Sequence, residues 1–99
     1  MDREFRNEAD SGRYALYVNG EQAVIINYVI NGGVIALTRT LTQPAQRGHG
    51  YAGELVAWVI NDIETNTALR VTTTCSYIEH WFETHPERAG VLHRNADTI

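Results

Sequence analysis

Gln46-Arg47-Gly48-His49-Gly50-Tyr51-Ala52-Gly53-Glu54-Leu55-Val56 begins as a loop and continues as a helix. Its glycines stand just before apolar residues start to recur at helical spacing, at Ala52, Leu55, Val56, Val59, Ile60 and Ile63. The first N–H groups of a helix have no internal acceptor and carry the positive end of its dipole. Glycines there let a phosphate come close to the main chain, so the local physics favours an anion. The spacing is neither the dinucleotide fingerprint G-x-G-x-x-G nor a Walker loop, because no Gly-Lys-Ser/Thr follows. A plain flexible turn is the competing reading, since glycines commonly precede helices.

On the N-terminal side of this loop the pattern changes to strands. Arg13 to Val18 sets Tyr14, Leu16 and Val18 against Arg13, Ala15 and Tyr17, and Asn19-Gly20 is a strong hairpin signal. A second strand over Gln22 to Ile30 is rich in Val and Ile on both faces, which predicts a central position. Asn31-Gly32-Gly33 turns it into a third strand from Val34 to about Leu41. Residues 1–12 carry only Phe5 as a large apolar group and are expected to form a loose arm ahead of one domain at 13–95.

On the C-terminal side, the helix is expected from Tyr51 to about Thr65. Leu69 to Thr74 then alternates as a fourth strand, parallel to the third through a right-handed crossover. Ser76-Tyr77-Ile78-Glu79 reads as a capping box opening a short second helix, with Ile78, Trp81 and Phe82 on one face and an end near Thr84 before His85-Pro86. Val91 and Leu92 suggest a last extended segment, and Asn95 to Ile99 a frayed end. The fold class is α/β, more closely α+β: a three-strand antiparallel meander, a helical crossover to a parallel fourth strand, and a second helix.

Cys75 falls where the fourth strand ends and the second helix begins. A helix start lowers a thiol's pKa and favours a reactive thiolate, whereas a lone cysteine more commonly packs as a small apolar group. Both readings stand. His85 lies where the second helix ends and is a candidate proton acceptor. His49 could contact a phosphate from the loop, and His80 is expected to be solvated. Arg39 would face either a ligand or solvent.

Composition narrows the classes. At 99 residues and 43% hydrophobic content the chain supports one core. No apolar run is long enough to cross a membrane, and the charged start Met1-Asp2-Arg3-Glu4 does not read as a signal peptide, so a cytoplasmic protein is expected. One cysteine rules out an internal disulfide, and the four histidines show no ligand spacing, so no metal site is expected. A net charge of −4 argues against a nucleic-acid surface and suits cationic amines. All eight basic residues are arginine.

Several stretches together resemble the small stand-alone GNAT-like N-acetyltransferases. They are Arg13-Tyr14-Ala15-Leu16-Tyr17-Val18-Asn19-Gly20-Glu21, Thr38-Arg39-Thr40, Pro44-Ala45-Gln46-Arg47-Gly48-His49-Gly50-Tyr51-Ala52, Val71-Thr72-Thr73-Thr74-Cys75-Ser76-Tyr77 and His85-Pro86-Glu87. Within them, Arg47-x-x-Gly50-x-Ala52 fits the Gln/Arg-x-x-Gly-x-Gly/Ala pattern with which that superfamily holds the pyrophosphate of acetyl-CoA. The resemblance implies that the third and fourth strands splay, with pantetheine in the gap paired to main-chain groups of Thr38, Arg39, Thr40 and Leu41. It implies pyrophosphate at Gln46, Arg47, Gly48, His49, Gly50, Tyr51 and Ala52. It makes Cys75 the proposed catalytic residue, either taking the acetyl group covalently or lining the pocket.

The chain also departs from the pattern. Relatives commonly carry His-Thr-Glu where this chain has Arg39-Thr40-Leu41, and prolines flanking the cysteine where it has Thr73 and Ser76. The expected function is acetyl-CoA-dependent N-acetyl transfer to an unidentified amine, in a small molecule, peptide or protein. The alternative is a non-catalytic CoA-binding module acting as a sensor or partner subunit. A protein-interaction domain without CoA is a third class. The oligomeric state is not legible.

Overall fold

A computed structural model describes residues 2–94. Five strands form one sheet in the order β1-β2-β3-β4-β5: β1 (Arg3–Glu8), β2 (Arg13–Val18), β3 (Glu21–Asn31), β4 (Val34–Thr42) and β5 (Arg70–Thr73). The first four pair antiparallel, and β5 joins β4 in parallel after the helix α1 (Tyr51–Asn66). A second helix, α2 (Ser76–Thr84), follows, and a 3-10 helix (Pro86–His93) closes the described chain. The expected meander, crossover and second helix are all present, within a residue or two of the sequence boundaries.

The helices pack on one face of the sheet. Tyr14, Leu16, Val18, Val24, Ile26, Tyr28, Ile35 and Leu37 from the strands share a core cluster with Leu55, Val56, Val59, Ile60 and Ile63 of α1 and Ile78, Trp81 and Phe82 of α2. The other face stays open, and Val29 on it is 60% exposed. Antiparallel sheets tolerate this, because period-two alternation keeps one face apolar and the other wet.

Three sequence expectations are corrected. Residues 3–8 are no loose arm: β1 pairs with β2 in unbroken register from Arg3 opposite Val18 to Glu8 opposite Arg13. Charges mark it as an edge strand rather than as unstructured chain. Arg6 pairs with Glu4, Arg13 with Glu8, and the single apolar residue Phe5 stacks on Trp58 with centroids 5.5 Å apart. The globular unit therefore starts before residue 13.

The capping box does not form. Cys75 is the N-cap of α2 and neither Ser76 nor Glu79 caps it, because Glu79 N–H reaches the Cys75 carbonyl at 3.0 Å and Ser76 is already helical. The segment containing Val91 and Leu92 is 3-10 helix rather than extended; Val91 is 1% exposed. Pro86 suits the first turn of such a helix. Beyond it, the Arg94 guanidinium gathers the main-chain oxygens of Glu64, Thr67 and Leu69 at 2.9–3.0 Å, satisfying carbonyls that the end of α1 leaves over. The expected fraying of Asn95 to Ile99 lies outside the described residues.

Candidate active site

The loop before α1 is open and rich in glycine. After β4, a 3-10 turn over Pro44–Gln46 leads to the exposed Arg47 and then to Gly48 and Gly50, whose φ angles are 84° and 75°. Only glycine adopts these cheaply. A Cβ added at either would meet nothing within 4 Å, so the space above both is open. Gly50 is the N-cap of α1 and no side chain caps that helix, so the positive end of its dipole faces the loop. A depression of about 210 Å³ lies here, lined by Thr42, Gln46, Arg47, Gly48, Gly50, Tyr51, Ala52 and Tyr77. The His49 ring stacks on Tyr51 with centroids 5.1 Å apart.

A gap opens between β4 and β5. Their pairing ends at Leu37 opposite Thr73, whereas β4 runs on to Thr42 along β3. The register places Tyr28 opposite Leu37 and Asn27 opposite Arg39, so Thr38 is an extra residue bulged out of β4. Past the bulge, Thr40 and Thr42 stand opposite the fully buried Ile26 and Val24 and share the helix-covered side. Arg39 and Leu41 pair with Asn27 and Ile25 and lie on the open face, both exposed. The four residues expected as one pantetheine-binding set are thus divided between two faces as side chains, although they share one main-chain edge.

Cys75 sits at the closed end of this gap. Thr73 fixes the turn: its hydroxyl donates to the Leu37 carbonyl at 2.8 Å and accepts the Cys75 N–H at 3.0 Å. The half-buried Cys75 Sγ lies 3.5 Å from Thr40 Oγ1. Burial pushes the thiol up, but hydrogen bonds from the Thr40 hydroxyl and from the main chain of Ile78, Tyr77 and Thr40 outweigh it, and the thiol ends below its ordinary value. The side chain packs against the core, and its hydrogen bonds shift the thiol in the direction of the thiolate.

His85 does not join it. The two residues stand at opposite ends of α2, about 15 Å apart along the axis at 1.5 Å per residue. The His85 ring stacks on Trp81, centroids 4.1 Å apart. Its Nδ1 lies 2.8 Å from the Trp81 carbonyl, which can only accept, so Nδ1 carries the proton and Nε2 is left as the acceptor. His85 instead helps line a groove of about 480 Å³ between α1 and α2, with Gly53, Glu54, Ala57, Tyr77, His80, Trp81 and Thr84. His80 is exposed, as expected. Tyr77 borders both the groove and the loop depression, so the two are neighbours. Among the described residues, no three His, Cys, Asp or Glu side chains gather to hold a metal.

Sequence reasoning missed Thr73, Tyr77 and Trp81. A threonine at a strand end, two residues before a helix N-cap, was the available signal for Thr73; the groove residues gave none beyond their place on a helix.

A helix start behind open glycines, a strand pair parted beside a bulge and a thiol at the closed end of the gap are together the features expected of an acyl-group-transfer fold. A profile of a GCN5-related N-acetyl-transferase family matches residues 13–91, from β2 into the last 3-10 helix. The chain belongs to that family. A search of characterised proteins found no match.

Proposed function

We propose that the protein is an acetyl-CoA-dependent N-acetyltransferase that passes the acetyl group to an amine by way of Cys75. The observation that carries this is the Cys75 sulfur, held by Thr40 and the first turn of α2 at the closed end of the β4–β5 gap. The open, positive-φ glycines at the uncapped α1 fit the donor's pyrophosphate, with Arg47 supplying charge and Gln46 and His49 on the rim. The main-chain edge of Thr38 to Leu41, beyond the reach of β5 pairing, fits the amides of pantetheine. Tyr77, exposed in the adjoining groove, offers an aromatic face to the nucleoside end.

The donor supplies an activated acyl group, a thioester. The hydrogen bonds around Cys75 favour loss of its proton, which makes its sulfur the nucleophile of this reading. When the acetyl carbon bonds to that sulfur, the donor's carbon–sulfur bond breaks and its thiolate leaves to take a proton. A neutral amine then displaces the Cys75 thiolate, losing a proton as the amide forms. The net charge of −4 favours cationic amines as the pool from which acceptors come.

Binding of CoA or acetyl-CoA without turnover, as a sensor or partner subunit, is the second reading. It is favoured by Arg39, which stands on the open face where the family resemblance leads one to expect a histidine, and by the distance of His85 from Cys75. Release of CoA thiol from acetyl-CoA, followed with a panel of amines, separates the two. Amine-dependent release that disappears in Cys75→Ala is expected; saturable CoA binding with no release under any amine would establish the module instead.

A further inference from the structure

Glu54 sets an electrostatic problem for the donor site proposed above. It lies in the first turn of α1, the turn whose N–H groups and dipole are assigned to the pyrophosphate. A carboxylate there draws on the same positive end and repels a second anion. The answer comes from outside the family-matched residues, on β1. Arg3 takes Glu54 in a two-point fork, Nε to Oε1 at 2.5 Å and Nη2 to Oε2 at 3.2 Å. The same guanidinium lies over the ring of Tyr51, the first residue of α1, 5.4 Å from its centroid.

Arg3 is not a loose side chain that happens to reach this far. β1 is zipped to β2 along its length, and the Asn19 N–H donates to the Asp2 carbonyl at 2.8 Å just before it. Phe5, next on the same side of the strand, lies parallel to Trp58 of α1, with an interplanar angle of 9°. The strand is thereby fixed against the beginning of the helix, and the guanidinium is delivered to its first turn.

We propose that Arg3 is a positioning residue for the donor site: by neutralising Glu54 it preserves the positive potential of the α1 N-terminus for a phosphate-bearing ligand. The inference rests on the donor-site reading. The pair is about one-third exposed, at 35% and 36%, so solvent and salt screen it and the effect is a few-fold rather than all-or-none. It makes β1, which the family profile does not reach, part of how this chain binds its donor.

The test is calorimetric titration of the full chain with CoA at low and high salt, for wild type, Arg3→Ala, Arg3→Lys, Glu54→Gln and the Arg3→Ala/Glu54→Gln pair. Arg3→Ala is expected to weaken binding about 3- to 5-fold at low salt and less at high salt, the size of one screened charge. Arg3→Lys should hold within about 2-fold of wild type, since a lysine keeps the charge. The double variant should recover to a similar level even though the contact is gone. Glu54→Gln alone, which leaves β1 intact, should bind at least as tightly as wild type. A double variant as weak as Arg3→Ala would make Arg3 a mechanical brace or a direct phosphate ligand and overturn the proposal, as would an unaffected Arg3→Ala or a weakened Glu54→Gln. Wild type that fails to bind CoA would instead bring down the donor-site reading itself, before any variant is compared.

Discussion

Thr40 and Cys75 decide what chemistry the gap supports. When the thiol is protonated it donates to Thr40; once the proton is lost the hydroxyl turns and donates back, so the same contact serves both states. The folded chain therefore favours the thiolate relative to the unfolded one, and the thiol titrates lower when folded. Iodoacetamide alkylation of this single cysteine should show a pH midpoint below that of a free thiol. Thr40→Val, which keeps the shape and removes the hydroxyl, should move it up, and Thr40→Ser should leave it near wild type; a midpoint indifferent to Thr40→Val would remove Thr40 from the account. Cys75 was legible as a candidate because a strand end and a helix start flank it in sequence. Thr40 was legible only as part of a family-like triplet, since what brings it to Cys75 is the register of β4 past the Thr38 bulge, and a bulge is set by pairing rather than by local composition.

The start of α1 is the element on which the proposed donor binding depends, and it was the most legible part of the chain. Helical periodicity, glycines before the helix and an arginine beside them are local signals, and the structure puts Gly50 at the N-cap with a φ of 75°. Gly50→Ala meets no neighbour within 4 Å, so its cost is conformational alone. It should lower stability by about 1–2 kcal/mol, the penalty of a left-handed L-residue, and weaken CoA more than that loss accounts for, because a methyl group would stand in the phosphate's approach. Denaturant melts set beside CoA titrations check both; unchanged CoA affinity would move the pyrophosphate elsewhere. β1 was the least legible element. Its one apolar residue, Phe5, gives no period to read, and what holds it is its pairing with β2, the cross-strand ion pair of Glu8 with Arg13, and Trp58, a partner remote in sequence. The capping box misled for a related reason: Ser-x-x-Glu fits that motif, yet the helix begins one residue earlier than the motif requires, with Cys75 at the cap.

The sheet is covered on one side only, and the buried polar groups of that single core carry a pH dependence. Tyr14 is 2% exposed; burial first, and then the adjacent Asp62 carboxylate that accepts from its hydroxyl at 3.2 Å, push its phenol well above the ordinary value. A raised folded pKa means that its contribution is whole below the unfolded pKa of about 10. It is lost as pH climbs towards the folded value, because the unfolded chain gives up its proton first. Melting temperature should therefore fall from about pH 10 upward, and Tyr14→Phe should flatten that fall; an unchanged alkaline slope would assign it to other groups, Tyr28 first, whose phenol is also raised by burial. The fold class was legible throughout β2 to α2, where alternation and helical spacing are strong, and the α1–α2 groove was not, because it exists only once two helices are packed. The account stands most directly on intact-mass spectrometry of the protein after exposure to acetyl-CoA, with Cys75→Ala beside it. With all eight basic residues arginine, no lysine side chain can take an adventitious acetyl group. One acetyl adduct that hydroxylamine or an amine removes, and that Cys75→Ala does not form, is the predicted result; an adduct that persists in Cys75→Ala, or none while CoA binds and amines are acetylated, would contradict transfer through Cys75.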